Sequence, residues 1–442
     1  MGITQIKRLS LLRREIIDSI HKWMDDEQII VLNGSRQVGK TSILYLLIQD
    51  LLVKGIEEKD LFYFDLEDFE ILDLLNSGVK NFIHYLEGLG ANLQERVFVF
   101  IDEIQYLNNP SNLLKLLADH YKNIKIICSG SSTLDIRRKF KDSLVGRKIV
   151  FEIYPLSFSE SLIFKKKPHL VSMLKEFSVK NIIHQEPENL EILDIWAKEL
   201  IGEFEEYILY GGYPAVSLIE EKDKKIAIIQ ELYQTYVRKD IGQLFTIEDI
   251  SAFNNLVKLM ALQIGNLVNL AEISNSLSCS RQTIEKYLFI LENTFITKRI
   301  RPFFVNKRKE VIKMPKVFFY DVGLRNQVIR NTSPLSLRTD AGALIENYIF
   351  SYLNNNLGSG DELKFWRTKT GSEVDFVVES QGFLLPVEVK YQAGKKDTVP
   401  SGIQSFMQKY GSKKALVITK DYLGKRINND AGIFFIPVYL LG

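Results

Sequence analysis

The sequence predicts an α/β fold with more than one domain, and three observations carry this prediction. The chain has 442 residues, enough for roughly three domains at ~150 residues each. From residue 28 to about residue 153, short runs of β-branched and aromatic residues alternate with helix-like stretches. The last hundred residues contain a second set of strand-like runs, so we expect a separate α/β module there.

Five apolar runs in the first part predict the strands of one sheet. They are nearly continuous rather than alternating with polar residues, which is typical of parallel strands that helices bury on both faces. The runs are "IIVLN" (29–33), "LFYFDL" (61–66), "RVFVFI" (96–101), "IKIICSG" (124–130) and "KIVFEI" (148–153).

The composition is ordinary for a globular protein and shows no strong charge bias. Apolar residues make up 46% and charged residues 25%, and the net charge of +2 leaves only local basic clusters as indications of a partner. Cys128 and Cys279 are far apart and lack CxxC spacing, so we expect neither a disulfide framework nor a cysteine zinc site. No signal-peptide pattern and no long apolar run occur, which predicts a cytoplasmic protein without a membrane partner.

The loop after the first run has the pattern of a phosphate-binding loop. In "GSRQVGKTS" two glycines bracket four residues, and a lysine and a threonine follow directly. The glycines let backbone N–H groups turn toward phosphate oxygens, the lysine neutralises the β- and γ-phosphates, and the threonine hydroxyl is offered to Mg²⁺. A plain turn is the alternative, but the strand before the loop and the helix after it favour ATP binding. The residues expected to bind ATP are Gly34, Ser35, Arg36, Gln37, Val38, Gly39, Lys40, Thr41 and Ser42.

An acidic pair ends the third run, in "VFVFIDEIQYL". We expect Asp102, together with Thr41, to hold Mg²⁺ and Glu103 to polarise the attacking water. An acidic cap on the next helix is the competing interpretation. The complete phosphate loop elsewhere in the chain favours the catalytic one.

Two further residues are candidates for catalysis at the phosphates. Ser129 in "IICSGSS", or else Ser131, is predicted to sense the γ-phosphate from beside Asp102, with a turn of small residues as the alternative. Arg147 could stabilise phosphate charge in its own site or in that of a neighbouring copy, which would need a homo-oligomer. It also belongs to the basic run "RRKFKDSLVGRK", which is equally typical of a solvated face.

The middle of the chain has the helical pattern of a linker and then that of a winged helix. Residues from about 160 to 240 are helix-like and are interrupted at "YGGYPA", and residues 251–304 indicate three short helices followed by a strand. Ser280 is a candidate cap for a helix that opens with Arg281, Gln282 and Thr283, side chains able to contact phosphates or base edges.

A basic stretch follows these helices. From Lys298 to Lys316 there are eight basic residues and one acidic residue, with Phe303 and Phe304 among them. Clustered charge of this kind predicts DNA as a partner. Protein contacts and a solvated face are the alternatives.

Charged residues inside apolar strands mark the C-terminal part. Asp375 lies in "GSEVDFVVE", and Glu388 and Lys390 lie in "LLPVEVKYQ" after a turn at Gly382. Carboxylates on adjacent strands with a lysine beside them can hold Mg²⁺ or Mn²⁺ and orient water on a phosphodiester. Glu346, in helix-like "AGALIENYIFSYL", could supply a third carboxylate. The alternative is a set of charges on exposed strand faces.

Taken together, these motifs resemble the prokaryotic AAA+ ATPase family whose C-terminal domain is of the DUF4143 type. The shared landmarks are "GSRQVGKTS", "FIDEIQ", "CSGSS", "GRKIVFEIYPLSFSE", "YGGYPA", "YDVGLRN" and "AGALIENYIF…GSEVDFVVE…VEVKYQ". The resemblance implies a P-loop AAA+ core with a parallel sheet, a helical linker, a winged helix and a C-terminal restriction-endonuclease-like α/β domain of the PD-(D/E)xK type. In that last domain, Glu346, Asp375, Glu388 and Lys390 match the nuclease-like positions.

The expected domains and function follow from this resemblance. The domains are an N-terminal helical segment (1–25), the ATPase core (26–160), a helical linker (161–245), the winged helix (246–335) and the nuclease-like domain (336–442). We expect an Mg²⁺-dependent, ATP-hydrolysing switch or motor that acts on DNA. The alternative is a regulatory ATPase whose winged helix and inactive nuclease-like domain bind DNA or protein without cutting.

Overall fold

The predicted strands of the first part form one parallel sheet. In the computed structural model they are β1 Ile29–Gly34, β2 Leu61–Asp65, β3 Val97–Asp102, β4 Ile124–Gly130 and β5 Lys148–Ile153. Their order is β2-β3-β4-β1-β5, and every neighbouring pair is parallel. All the residues of β1, β3 and β4 are buried. The carboxyl ends of these three strands therefore meet at one edge, where ligands of open parallel sheets bind.

The structure describes residues 2–130, 144, 146–184, 194–237, 249–358, 360–392, 398–428 and 431–442. The chain divides into two compact units, the first formed by residues 1–154 with 293–295 and the second by residues 155–292 with 296–442. The boundaries of the five predicted domains remain a prediction. In the described part of the chain, no helix is long and apolar enough to cross a membrane.

The helices of the first unit pack around its sheet. They are α1 Ile3–Lys7, α2 Ile16–His21, α3 Lys40–Val53, α4 Phe69–Asn76, α5 Val79–Gly88 and α6 Pro110–His120. Two residues explain the start of helix α6. Asn109 caps the helix by accepting a hydrogen bond from the backbone N–H of Asn112, and Pro110 occupies the first turn. The apolar faces of these helices cover strands such as β3, whose Val97, Val99 and Ile101 are fully buried.

The second unit begins with helices. They are α7 Phe158–Phe164, α8 Pro168–Glu176, α9 Val179–His184, α10 Asp194–Tyr210, α11 Pro214–Ser217 and α12 Lys222–Thr235. Next come α13 Ile250–Leu262, α14 Leu270–Leu277, α15 Arg281–Asn293, strand β6 Thr297–Ile300, α16 Lys307–Ile312 and strand β7 Lys316–Phe319. Strands β6 and β7 form an antiparallel pair, and a bridge from Leu267 to Lys316 extends it.

Two of the sequence landmarks, "YGGYPA" and "YDVGLRN", pack closely against each other. Helix α17 (Val322–Val328) starts at Asp321, whose carboxylate accepts hydrogen bonds from the N–H groups of Leu324 (2.7 Å) and Gly212 (2.8 Å). A Cβ on Gly211, where φ is +77°, would lie 2.3 Å from an Asp321 carboxylate oxygen, so only glycine fits. These landmarks therefore have a packing explanation.

A mixed sheet forms the C-terminal part. Helix α18 (Ala341–Asn356) precedes strands β8 Glu362–Arg367, β9 Glu373–Ser380 and β10 Phe383–Lys390; then follow α19 Ser401–Tyr410, β11 Lys414–Thr419, β12 Gly424–Asn428 and β13 Ala431–Pro437. The strand order is β12-β13-β11-β10-β9-β8. Strands β8, β9 and β10 are antiparallel, whereas β10, β11 and β13 are parallel. The second set of strand-like runs thus forms a sheet separate from the first, as the sequence predicted.

Candidate functional site

The phosphate loop connects β1 to α3 and folds around its own lysine. Gln37 (φ +61°) and Gly39 (φ +94°) adopt left-handed backbone conformations that turn the chain into the helix. Lys40 is only 4% exposed, and its Nζ donates to the carbonyl oxygens of Gly34 (3.0 Å) and Ser35 (2.7 Å). These carbonyls are neutral acceptors, so they hold the ammonium inside the loop without cancelling its charge.

The loop is fixed tightly against its surroundings. A Cβ on Gly34 would lie 2.2 Å from the backbone oxygen of Ile153 on β5, so a side chain is excluded there. From the N-terminal segment, Arg14 donates to the backbone oxygen of Val38 at 2.7 Å. Within the described residues, the buried Ser35 hydroxyl has no hydrogen-bond partner. A rigid loop with an unused buried hydroxyl is suited to receiving further polar groups.

Asp102 lies at the tip of β3 among hydroxyl groups. Its Oδ2 accepts hydrogen bonds from the hydroxyls of Thr41 (2.7 Å) and Tyr63 (3.0 Å), and its Oδ1 accepts one from Ser129. The structure thus brings together Thr41, Asp102 and Ser129, as the sequence predicted. Tyr63, on β2, was not predicted, because the sequence did not establish that β2 neighbours β3. Burial and the charge of Asp102 raise the pKa of the Tyr63 phenol, which therefore stays a donor.

Glu103 has an unusual backbone that directs it away from the strand. Its φ of +56° is left-handed, and its N–H donates to Asp102 Oδ1 (3.1 Å) and Ser129 Oγ (3.2 Å). The Gln105 side chain donates to the Glu103 carboxylate and holds it in place. A strained residue fixed by its neighbours at a strand tip is typical of a functional site.

Arg147 lies away from this cluster. It directly precedes β5, whose first residue pairs with Ile29 at the start of β1, whereas Gly34 pairs with Ile153 at the other end. Its side chain forms an ion pair with Asp119 of α6 (2.6 Å). The predicted role of Arg147 in its own site is therefore wrong, because one strand length separates it from the phosphate loop. A role in a neighbouring copy stays a prediction. Ser131, the alternative to Ser129, lies outside the described residues.

The residues around the loop fit ATP and Mg²⁺. The loop supplies a buried ammonium, and the Thr41 hydroxyl lies beside the Asp102 carboxylate. Within the described residues, no three carboxylate, histidine or cysteine side chains are arranged to hold a metal ion by themselves. This agrees with the way Mg²⁺ binds with nucleotides, through one or two protein groups plus phosphate oxygens and water.

The C-terminal residues predicted from the sequence also converge. Extending the pairing of Phe376 with Val387 by one step places Asp375 opposite Glu388 on the same face of the sheet. Asp375 Oδ2 accepts from the N–H of Val389 (2.8 Å), and Glu388 pairs with Lys390 (2.6 Å). Burial and the neighbouring Asp375 raise the pKa of Glu388 to about 7.

Glu346 joins this acidic centre through a residue that the sequence analysis missed. Lys316, the first residue of β7, lies 3.1 Å from Glu346, 2.7 Å from Glu373 and 4.0 Å from Asp375. Burial raises the pKa of Glu346 to about 8, and the Lys316 ammonium partly offsets the shift. Since Lys316 comes from the stretch interpreted as a basic DNA-binding run, nothing in the sequence pattern assigned it to this centre.

Much of the basic stretch is already engaged within the second unit. Besides Lys316, Lys298 donates to Asn354 (2.9 Å), and Arg299 pairs with Glu285 and Glu292, each at 2.7 Å. Lys307 pairs with Glu379 (3.1 Å). Arg308 and Lys313 are exposed.

A groove of about 560 Å³ lies beside Lys313. Among the described residues, the charged side chains that line it are all basic, namely Lys313, Arg367, Lys369 and Lys409. Its apolar surface includes Phe304, Trp366 and Tyr410. A second cavity of about 440 Å³ shares residues 312–314 with it and is lined by Arg281 at the start of α15. Basic and aromatic groups therefore line the first groove together, whereas the second cavity also contains the carboxylates of Glu285 and Glu292, which pair with Arg299.

Comparison with protein families gives three matches. An AAA domain matches residues 26–162, a domain of unknown function (DUF8612) matches residues 201–335, and a domain of unknown function (DUF4143) matches residues 341–441. The first covers the parallel sheet with its phosphate loop, and the last covers the mixed sheet with its acidic centre.

Some related proteins align with nearly the whole chain. An uncharacterized protein of Haemophilus influenzae is 24% identical over 436 residues, which cover 98% of this chain and 99% of that one. An uncharacterized protein of Methanocaldococcus jannaschii is 24% identical over 423 residues, covering 93% and 84%. The similarity to these proteins thus extends along nearly the whole chain.

Among solved structures, similarity is low. Cdc6p from Pyrobaculum aerophilum has a TM-score of 0.29 and 11% identity, with 78% of this chain and 98% of that one covered. PCH-2 from C. elegans has a TM-score of 0.31 and 14% identity, with 65% and 72% covered. Scores this low carry no argument about this chain. The family matches and the geometry of the phosphate loop support an AAA+ ATPase with a C-terminal DUF4143 domain.

Proposed function

We propose that this protein is an Mg²⁺-dependent, ATP-hydrolysing switch or motor that acts on DNA and carries a nuclease-like C-terminal domain. The observation that carries the ATPase part is the cluster at the carboxyl ends of β1, β3 and β4, where Lys40, Thr41, Asp102, Glu103 and Ser129 lie together. A cytoplasmic location and assembly into a homo-oligomer belong to the same proposal.

Each residue of the cluster has a distinct task. Lys40 leaves its carbonyl acceptors to neutralise the β- and γ-phosphates, which are stronger acceptors. Thr41 and Asp102 hold Mg²⁺, which neutralises charge on the phosphate oxygens. Glu103 polarises the attacking water, and Ser129 contacts the γ-phosphate from beside Asp102.

DNA as the partner is supported by the order of the elements in this part of the chain and by the side chains that line the groove. Helices α13, α14 and α15, followed by the antiparallel strands β6 and β7, have the order of a winged helix, and α15 begins with Arg281 beside the second cavity. Cations together with aromatic side chains are typical of nucleic-acid surfaces, because phosphates and bases each find a contact. We therefore assign DNA to the side formed by Lys313, Lys369 and Lys409 rather than to the whole basic stretch.

ATP hydrolysis by the full chain, without DNA and with single-stranded, duplex and branched DNA, tests this function. We expect Mg²⁺-dependent hydrolysis that at least one of these DNA forms stimulates. Hydrolysis that no DNA form changes would leave an ATPase and remove DNA as its partner. It would favour the regulatory ATPase with protein partners.

Substitution in the groove tests where DNA binds. Replacing Lys313, Lys369 and Lys409 by alanine should weaken binding to all sequences and reduce the slope of log K against log salt by about 0.9 per lost duplex phosphate contact. The matched control also replaces three exposed lysines, namely Lys222 and Lys224 at the start of α12 and Lys166. Equal losses in the two variants would mean that DNA responds only to net charge.

A further inference from the structure

The acidic centre of the C-terminal sheet already contains a cation. Lys316 Nζ is 2.7 Å from Glu373 Oε1 and 3.1 Å from Glu346 Oε1, and Asp375 Oδ1 lies 4.0 Å away. The lysine is only 4% exposed. Two of these three carboxylates, those of Glu346 and Asp375, are the ones that the nuclease-like interpretation needs as metal ligands.

The position of Lys316 is fixed by the backbone. It is paired with Ile300 of β6 and bridged to Leu267, and its ammonium lies 5.5 Å from the ring centroid of Phe365. On the other side, Glu346 packs so closely against Gly265 that a Cβ there would lie 2.9 Å from Glu346 Oε2. Neither the lysine nor the glutamate has space to separate without movement of its surroundings.

A divalent ion and this ammonium compete for the same oxygens. Mg²⁺ needs oxygen ligands at about 2.0–2.1 Å in near-octahedral geometry, whereas the Glu346 oxygen is already bonded to Lys316. An ion bound between Glu346 and Asp375 would also lie close to a buried positive charge, which repels it strongly where water is excluded.

The second half of the centre is closed in a similar way. Glu388 Oε1 accepts from Lys390 at 2.6 Å. Glu388 Oε2 is buried and has no hydrogen-bond partner among the described residues, so the ion pair with Lys390 is made by Oε1 alone. Lys390, whose side chain is half exposed, thus pairs with a carboxylate that the nuclease-like interpretation needs as a metal ligand.

We propose that Lys316 is the resident cation of this centre, so that the C-terminal domain takes no divalent metal ion and does not cut DNA by a metal-dependent route. The proposal rests on the nuclease-like interpretation of that domain and refines it. The C-terminal domain then binds DNA or protein without cutting it, and ATP is the substrate that the protein hydrolyses.

Binding of Mn²⁺ to the full chain without nucleotide, followed by the electron paramagnetic resonance signal of free Mn²⁺, tests the proposal. The wild type should show no Mn²⁺ site that Asp375→Asn removes. Lys316→Met should gain one such site, with Mn²⁺ affinity at least about tenfold higher than in the wild type, and Lys316→Met combined with Asp375→Asn should lose it.

The matched control is Lys364→Met. Lys364 is another buried lysine in this unit, within 3.2 Å of Glu310 and 2.6 Å of Glu379, and its loss should create no Asp375-dependent site. Lys316→Arg, which keeps the charge, should also gain none.

Three results would overturn the proposal. They are an Asp375-dependent Mn²⁺ site in the wild type, no gain of a site in folded Lys316→Met, and DNA nicking with Mg²⁺ or Mn²⁺ that Asp375→Asn removes. If Lys316→Met does not fold, the wild type and Asp375→Asn alone decide the matter. ATP hydrolysis with and without DNA on the same samples separates a failure of the proposed function from a failure of this inference.

Discussion

The nucleotide site and the C-terminal acidic centre both combine buried lysines with carboxylates, but they compensate their charges differently. Asp102 is surrounded by neutral donors, the hydroxyls of Thr41, Tyr63 and Ser129. Lys40 is held by backbone carbonyls. In the C-terminal centre, by contrast, Glu346 and Glu373 share the ammonium of Lys316.

This difference indicates which site can accept a charged ligand. Hydroxyl groups stabilise a carboxylate without cancelling its charge, so Asp102 can still attract a cation. In a buried ion pair the carboxylate is already neutralised by its cation, and an incoming ion must displace that cation. Substitutions at the two sites should therefore have different consequences.

The largest effect is expected at the nucleotide site. Lys40→Ala should abolish tight ATP binding, because no other buried ammonium in the described part of the loop can replace it. Glu103→Gln should keep ATP binding and lower kcat by about 10²- to 10⁴-fold, since the loss of a general base affects turnover. Nucleotide binding and steady-state hydrolysis measure the two effects separately. Undiminished hydrolysis in either variant would remove the assigned role.

The next effect concerns the stability of the acidic centre. Lys316→Met should lower the free energy of unfolding by about 3–5 kcal/mol, because it leaves buried carboxylates without their cation. Chemical denaturation at neutral pH measures this change, and Glu346→Gln in the same chain should restore part of it.

Lys313→Met provides the control for that prediction. Lys313 is exposed and lies three residues earlier, so its replacement should change stability by no more than about 0.5 kcal/mol. Equal destabilisation by the two substitutions would show that Lys316 is not specially paired.

How much the sequence could predict depends on how far apart the contributing residues lie. Residues 34–42 are consecutive in the sequence, so the nucleotide-binding residues follow from the pattern, and Asp102 follows because it ends an apolar strand. Tyr63 and Gln105 could not be predicted as partners, because their contacts depend on strand order and on a left-handed Glu103.

The C-terminal centre combines residues that lie far apart in the sequence, so only part of it could be predicted. Asp375 and Glu388 were predicted as neighbours because a short turn joins their strands. Lys316 lies 30 residues before Glu346 and reaches it only through the position of β7. A count of basic residues treated it as part of a DNA-binding run, since charge clustering in sequence does not show which charges are already paired.

Asp321 shows a third kind of charge compensation, by backbone N–H groups. Its pKa gives a pH test of the comparison. Complete burial raises the pKa of Asp321 from 3.8 to about 6, although the N–H groups of Gly212 and Leu324 oppose the shift. The native state therefore holds this proton more tightly than the unfolded state does. Its stabilising contribution is complete below about pH 4 and is lost as the pH rises through 6, a change of about 3 kcal/mol.

Asp321→Asn should remove this part of the wild-type slope, as urea unfolding between pH 4.5 and 7.5 would measure. The part that Glu346 and Glu388 contribute through their own raised pKa values should remain. Asp340 is the control, because Arg338 and Arg325 lower its pKa to about 2 despite burial. Its contribution is present above pH 4 and is lost only at more acidic pH, so Asp340→Asn should reduce stability by a similar amount throughout this range. A wild-type slope that Asp321→Asn leaves intact would assign the titration to another group.

The smallest effect is expected from Tyr63→Phe, which removes one of the neutral donors on Asp102. Thr41 and Ser129 remain bonded to the carboxylate, so ATP binding should be unchanged. We expect kcat to fall roughly fivefold, the equivalent of about 1 kcal/mol for one hydrogen bond. Tyr45→Phe is the matched control, because Tyr45 donates to the Tyr63 hydroxyl at 3.3 Å and is not itself bonded to Asp102. A loss of ATP binding as severe as that of Lys40→Ala would mean that Tyr63 holds the loop itself, and the contrast between neutral and ionic compensation would then lose its basis.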